Sequence, residues 1–298
     1  MALKKILLSS AVVVSVAGSA FAQDWEKVEI KTEALRGNIH VLFGAGGNIG
    51  ISAGEDGVFI IDDQYAPLTD RIKAAIAKIS DQPIRYAINT HFHGDHSGGN
   101  ENMGKGGTVI VAHDNVRQRM SEGAFIKAFN SKMEPQLKAA LPSITFNDKM
   151  SLHLNGEEAR AIHVEKAHTD GDSFIVFEGS NLIHMGDLFF NELFPFIDVQ
   201  HGGSIDGMIK GVDMALELAN DETIVIPGHG PVTDKTGLMA YRSMLQETRD
   251  IVAGLKAKGM SLAEVQAAKP VDGYKEKWKP FSPTWTDSYV GFIFNSLK

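Results

Sequence analysis

The stretch "INTHFHGDHSGGN", residues 88–100, places His91, His93, Asp95 and His96 within six positions, directly after an apolar, strand-like run. Crowding of this kind is a poor solution to packing, because each buried nitrogen or carboxylate oxygen must find a partner or carry a desolvation cost. Metal ligation or acid–base catalysis would each give these groups a reason to stand together. Whatever fold the chain adopts must therefore end a strand here and turn the following loop into part of a shared site.

Other segments have the same character. His168 in "AHTDGD", Asp187 in "HMGD" and His229 in "PGHG" each fall where an apolar run meets a glycine-containing turn, and Asp62 closes the run "GVFIID". Loops at strand ends are where side chains from distant segments converge. In an extended segment His91 and His93 point the same way, since side chains alternate with period two. Gly94 permits a sharp turn that carries Asp95 and His96 toward a neighbouring point. One short segment can then serve two metals about 3.5–4 Å apart, the separation used in hydrolytic two-metal sites. His168 would complete three imidazoles around the first metal. His229 would join Asp95 and His96 on the second, with Asp187 bridging both. Nitrogen-rich donor sets with carboxylates suit zinc best, with iron and manganese as alternatives.

The runs around these residues predict an α/β chain. From Val28 to Ile61 apolar stretches alternate with glycine turns, as consecutive antiparallel strands do. Leu68, Ile72, Ala75, Ile76 and Ile79 recur at helical spacing. Strands are expected near 86–90 and 108–112, with a helix running on from His113. In the second half "SFIVFEGSNLIHMGD" reads as a hairpin turning near Gly179. A helix follows Ser204, "TIVIPGHG" reads as a buried strand, and a long helix comes after it. Ser261 with Glu264 forms a capping box for another helix. Strands alternating with helices in two similar halves imply sheets covered by helices on the outside. No Pro/Ser-rich linker or charge block divides them, so residues 23–298 are read as one domain.

Residues 1–22 have the build of a cleavable secretory signal: Lys4 and Lys5, an apolar run from Ile6 to Gly18, then Ala20-Phe21-Ala22. Cleavage after Ala22 would leave an exported, periplasmic or secreted chain beginning at Gln23, without a membrane anchor. The 298-residue chain holds no cysteine, so a lipid-anchoring thiol and disulfides are both absent. Stability then rests on packing and on metal. Loss of the two signal lysines makes the chain two units more negative than its full-length formal charge of −8. That balance disfavours nucleic acid as a partner and leaves a small-molecule substrate. No oligomeric state follows from the sequence.

The order of motifs, Asp62, then "HFHGDH", His168, Asp187 and His229, resembles the metallo-β-lactamase superfamily over essentially all of residues 23–298. The resemblance implies an αββα sandwich of two mixed β-sheets with helices outside and a two-metal site at one edge. It also implies that Asp62 is an acid that holds the ligand loop rather than a ligand. In the cysteine-ligated metallo-β-lactamases a cysteine stands where this chain has Asp187, and the lysine that follows three residues later is Phe190 here. The bridging aspartate and "GDLFF" are more similar to glyoxalase II, lactonases and related hydrolases. The basic and tyrosine residues with which glyoxalase II grips glutathione have no evident counterpart. Flavodiiron relatives replace the second motif histidine by glutamate, whereas His93 is intact, which favours zinc. The large extra domain of the nuclease branches is absent.

These readings together predict an exported dizinc hydrolase that cleaves an amide- or ester-type carbonyl, a β-lactam or a lactone, with a metal-bridging hydroxide. Asp95 is the expected catalytic residue, orienting the nucleophile and shuttling its proton. A glyoxalase II-like thioesterase, or a non-catalytic periplasmic metal-binding or redox-accessory protein, are the alternatives. Phe190 and His201 are candidate substrate contacts, and Phe189, Phe194 and Phe196 add to an expected apolar pocket wall. His40, His153 and His163 sit in apolar alternations and are read as structural, and His113 as a helix start. "FGAGGNIG" (43–50) reads as a mobile hairpin over the cleft or a plain glycine turn. The segment 125–141 reads as helical packing, with a lid as the alternative.

Overall fold

The apolar runs of the first half pair into one seven-stranded sheet. β1 (Lys31–Ala34), β2 (Ile39–Phe43), β3 (Ile49–Gly54) and β4 (Gly57–Ile61) form an antiparallel meander, as glycine turns between short strands require. β5 (Ile84–Ile88) and β6 (Val109–His113) then add in parallel, each reached through helices. A separate hairpin of β7 (Ala124–Ile126) and β8 (Ser131–Met133) precedes β9 (Ile144–Phe146), which closes the first sheet beside β6. The second sheet has six strands: β10 (Lys149–Leu154), β11 (Glu157–His163), β12 (Ser173–Phe177), β13 (Leu182–His184), β14 (Ile224–Ile226) and β15 (Thr233–Asp234). Only β13 and β14 run parallel there. This computed structural model describes residues 24–297, so the signal segment and Gln23 lie outside the described residues.

Three apolar interfaces stack these layers. Ile39, Phe59, Ile61 and Ile88 of the first sheet meet Ala161, Ile175, Phe177 and Ile226 of the second, with Phe59 stacked on Phe177 at 5.9 Å. The outer face of the first sheet (Leu42, Ile51, Ile60, Ile110) is covered by Leu68, Ile72 and Ile76 from the helix Thr69–Ile76 and the turn before it. The outer face of the second (Phe174, Val176, Ile183, Val225) carries the helices Ile205–Leu218, Lys235–Ala257 and Trp285–Ser296. Helix, sheet, sheet, helix is the αββα sandwich of two mixed sheets expected from the sequence. The Ser261–Glu264 capping box, the Ser204 cap and the His113 cap all form. No described helix is long and apolar enough to cross a membrane.

One expectation changes, and one open alternative narrows. The segment 125–141 holds no α-helix, only a 3-10 turn at Lys127–Phe129. Gly123, at φ 78°, ends the helix Asp114–Glu122, and Asn130, at φ 47°, turns the chain back as the β7–β8 hairpin. Of the two readings of the glycine-rich link between β2 and β3, its contacts favour the plain turn. Its Gly47 N–H donates to the Asp95 carbonyl at 3.0 Å, and Asn48 N donates to the Gly228 carbonyl at 2.7 Å.

Two of the parallel pairs position the site. β4 lies beside β5 and β13 beside β14, so the chain leaves all four strands at their C-terminal ends on one edge of the sandwich. Asp62 follows β4, His91 follows β5, Asp187 follows β13 and His229 follows β14.

Candidate metal centre

The seven residues singled out as ligands converge in two groups. His91, His93, His168 and Asp187 form one, and Asp95, His96 and His229 the other, with the ligating atoms of each group within 4.8 Å of one another. In the first, His93 Nδ1 lies 3.1 Å from His91 Nε2 and 2.9 Å from His168 Nε2. In the second, His96 Nε2 lies 3.3 Å from His229 Nε2, and Asp95 Oδ2 lies 3.3 Å from His229 Nε2. These separations are close to the edge of a tetrahedron built on metal–nitrogen bonds of about 2.0–2.1 Å, which is roughly 3.3–3.4 Å. Asp187 stands between the groups. Its Oδ2 is 3.5 Å from His168 Nε2, and its Oδ1 is 3.0 Å from His96 Nε2.

Hydrogen bonding on the far side of the rings decides which nitrogens face inward. His91 Nδ1 donates to Thr90 Oγ1 at 3.1 Å, His93 Nε2 to Asp198 Oδ2 at 3.0 Å, His96 Nδ1 to Asp62 Oδ2 at 2.7 Å, and His168 Nδ1 to the Phe196 carbonyl at 2.9 Å. In the neutral ring each such bond leaves the other nitrogen as a lone pair directed into the cluster. Facing lone pairs cannot all be satisfied by protons, and buried Asp187 Oδ1, 3.0 Å from His96 Nε2, has no well-directed hydrogen bond among the described residues. A donor set of imidazole lone pairs around an unpartnered carboxylate oxygen fits a pair of divalent cations with nitrogen preference.

Electrostatics separates the two groups. Burial pushes His168 down to about 4, against the pull of Asp187, and burial together with the neighbouring His96 drives His91 well below its ordinary value. Both rings are therefore neutral and ready to ligate at pH 7. Burial works against the charged forms of His96 and His229 too, but Asp187 and Asp95 outweigh it, raising His96 strongly and His229 to about 9. The same cations hold Asp187 and Asp95 well below the usual carboxylate range, although burial opposes this. Without metal the second group is thus an ion-paired cluster, and ligation must displace its protons.

The local backbone is shaped to this cluster. Asp62, at φ 65°, receives Thr90 N–H on Oδ1 at 2.7 Å and Thr90 Oγ1–H on Oδ2 at 2.8 Å, which pins the start of the ligand loop. Gly47 touches the His96 ring so closely that a Cβ there would collide with it, and a Cβ on Gly228 would collide with Asp187. Gly94 differs from the expectation of a glycine-dependent turn. It opens the short helix Gly94–Ser97, its φ is ordinary, and a Cβ would meet nothing within 4 Å because the residue faces a cavity.

That cavity, of about 270 Å³, opens onto His93, Asp95, Asp187 and His229. Of the four phenylalanines after Asp187, Phe190 and Phe196 line it, whereas Phe189 packs on Tyr241 at 4.9 Å and Phe194 on Tyr289 at 5.2 Å, in the core. His201 does not line the cavity. It is buried, and its Nδ1 donates to Asp198 Oδ2 at 2.6 Å. Asp198 and Tyr65 are the functional residues that sequence reasoning missed. Asp198 sets the tautomer of His93 from 105 positions away, and its only sequence signal is an acid placed in the apolar run "FPFIDV". Tyr65 lines the cavity, and burial, then the Asp95 and Asp187 charges, push its phenol up so that it stays protonated.

Comparison with known proteins agrees with this geometry. The family model described as the metallo-beta-lactamase superfamily matches residues 43–233, a span that holds all seven clustered residues. Among solved structures, DIM-1 metallo-beta-lactamase superposes with a TM-score of 0.59 at 18% identity, covering 74% of this chain and 99% of its own. A metallo-beta-lactamase from Pontibacter korlensis gives 0.58 at 16%, covering 73% and 99%. The stereoselective inverting sec-alkylsulfatase Pisa1 from Pseudomonas sp. gives 0.64 at 15%, covering 89% of this chain but 50% of its own. At these identities the solved structures speak for the fold. With the family match over most of the chain and a His/Asp cluster able to hold two metals, the protein belongs to the metallo-β-lactamase superfamily.

Proposed function

We propose that the protein is an exported, zinc-dependent hydrolase with two ions per chain, cleaving a carbonyl of the ester or amide type in a small molecule, a lactone or a β-lactam. The observation that carries this is the far-side hydrogen bonding of four imidazoles, which leaves their other nitrogens converging on an Asp187 whose two oxygens face one group each. Bound metal supplies water acidified toward pKa 7 and a Lewis acid for the carbonyl. The chain's own residues do the rest. His91, His93 and His168 would hold one ion, Asp95, His96 and His229 the other, and Asp187 both. Asp95, partly exposed to the cavity, is placed to orient the nucleophile and to pass its proton to the leaving group. Tyr65 Oη, held protonated, is a donor available at the cavity wall. Phe190 and Phe196 limit the water that reaches the reacting carbonyl.

Export is supported by the basic start, apolar run and small-residue cleavage site of residues 1–22. The test of the function is turnover by zinc-loaded protein across lactone, β-lactam and thioester panels, before and after chelation and after zinc is restored. Zinc-restored hydrolysis of a lactone or β-lactam supports the proposal; turnover confined to thioesters favours a glyoxalase II-like enzyme.

A further inference from the structure

Aromatic rings form a continuous arc around the cavity, anchored at both ends on the metal centre. Phe190 stacks on His229 at 5.2 Å and 15°, and meets Phe281 edge-on at 6.2 Å. Phe281 meets Trp285 at 5.0 Å, and Trp285 stacks on Phe129 at 5.6 Å. Phe129 meets Phe196 at 5.0 Å, and Phe196 stacks on His93 at 5.6 Å. The arc thus starts on a ligand of one group and ends on a ligand of the other. Among the residues lining the cavity there is no lysine or arginine, and apart from the candidate ligands the polar side chains are Tyr65 and Ser131. Lys132 lines the adjoining groove and is paired with Glu134 at 2.7 Å.

We infer that this cavity takes a neutral ester or lactone bearing a short apolar chain, and selects against a negative charge on that chain; the inference rests on the hydrolase reading above. A carboxylate carried away from the metals would lie against aromatic faces with no cation to pair it, and an unpaired buried charge is costly. An alkyl chain in the same place exchanges water for phenylalanine, which is favourable for every CH₂ buried. The cavity, of about 270 Å³, is large enough for a small ring and a few carbons. In the reaction, water adds its oxygen to the carbonyl carbon and the ring C–O bond breaks. The alkoxide leaves with a proton, giving the hydroxy acid with no other reactant.

Binding separates this inference from the reading it rests on. Zinc-loaded protein would be titrated calorimetrically with 5-alkyl-2-pyrrolidinones, neutral and inert to hydrolysis, from methyl to butyl, and with chain-matched probes ending in a carboxylate. We expect affinity to rise about two- to fourfold per added CH₂, and the carboxylate probes to bind at least about tenfold more weakly. Phe129→Ala, on the exposed hairpin, should flatten the chain-length series. Phe129→Arg should strengthen the carboxylate probe relative to the neutral one, which a merely structural role for Phe129 would not produce. Affinity independent of chain length, or equal binding of the carboxylate probes to wild type, would overturn the inference. The expected binding pattern without ring opening of the matching lactones would support the cavity assignment and overturn the hydrolase reading.

Discussion

Asp62 Oδ2 accepts the His96 Nδ1 proton at 2.7 Å while its Oδ1 accepts the Thr90 N–H at 2.7 Å. One buried carboxylate at the end of β4 therefore fixes both the first turn of the ligand loop and an imidazole six residues further on. Its left-handed backbone, φ 65°, costs an L-residue about 1–2 kcal/mol and is retained where it aims the side chain. Asp62→Ala frees His96 to rotate and leaves Thr90 N–H without its acceptor. Loss of such a partner typically lowers metal affinity by about 10–100-fold. Competition against a chromogenic chelator should show that loss for Asp62→Ala and none for His153→Ala, an exposed position on β10.

Asp95 is given two tasks, holding the second ion and aiming the nucleophile, whereas His163 is given neither. Asp95→Asn keeps an oxygen ligand but loses the charge and the capacity to accept a proton. Proton-transfer and orienting roles are worth roughly 10²–10⁴-fold. We predict a fall in kcat of at least about 100-fold for Asp95→Asn with metal retained at His91, His93 and His168. His163→Gln should stay within about tenfold of wild type. Metal content measured on the same samples separates lost chemistry from lost metal, and near-normal turnover of fully loaded Asp95→Asn would refute the assigned role.

What could be read in advance followed from local patterns. His91, His93, Asp95 and His96 announced themselves because crowded polar groups at a strand end need a common purpose. The alternating runs of residues 28–61 and the helical spacing of 68–79 gave their elements with boundaries close to those observed. What could not be read depended on segments meeting only in the fold. Asp198 becomes the partner of His93 across 105 residues, and His201, which looked like a loop residue over the site, is consumed in orienting it. The hairpin at 124–133 has apolar residues at neither clean helical nor clean strand spacing, so its type is set by Gly123, Asn130 and packing of Phe129 on Phe196. Phe189 and Phe194 share a sequence context with Phe190 and Phe196, and only backbone direction sends the pairs to core and cavity.

The glycines of "FGAGGNIG" are a matter of close approach. Gly47→Ala would drive a Cβ into the His96 ring, held from its other side by Asp62, so the loop or the ring must move. Gly94→Ala meets open cavity. Overpacking at a rigid site costs about 1–3 kcal/mol. Urea unfolding should therefore show Gly47→Ala destabilised by roughly that amount with weakened binding of the second ion, and Gly94→Ala close to wild type in both. Equal stability of the two variants would contradict the packing described.

His113, at the end of β6, and His163, at the end of β11, stack across the two sheets at 3.7 Å and 12°. Burial lowers both pKa values below 6.5, and for His113 the facing His163 adds to it. A base lowered in the fold contributes stability that is complete above its unfolded value, near 6.5, and is lost as pH falls from there through the folded value. The unfolding midpoint in urea should therefore decline between pH 7 and pH 5, and His163→Gln should decline less. A variant with the same slope as wild type would show that this pair does not sense the pH change.

The most direct test of the account is metal stoichiometry and dependence measured together on one zinc-loaded preparation. Elemental analysis should find close to two ions per chain, since the seven converging residues form two donor groups. Chelation should abolish lactone hydrolysis and lower the Tm, and zinc should restore both. A chain that retains no metal after loading, or one whose turnover survives complete chelation, would contradict it.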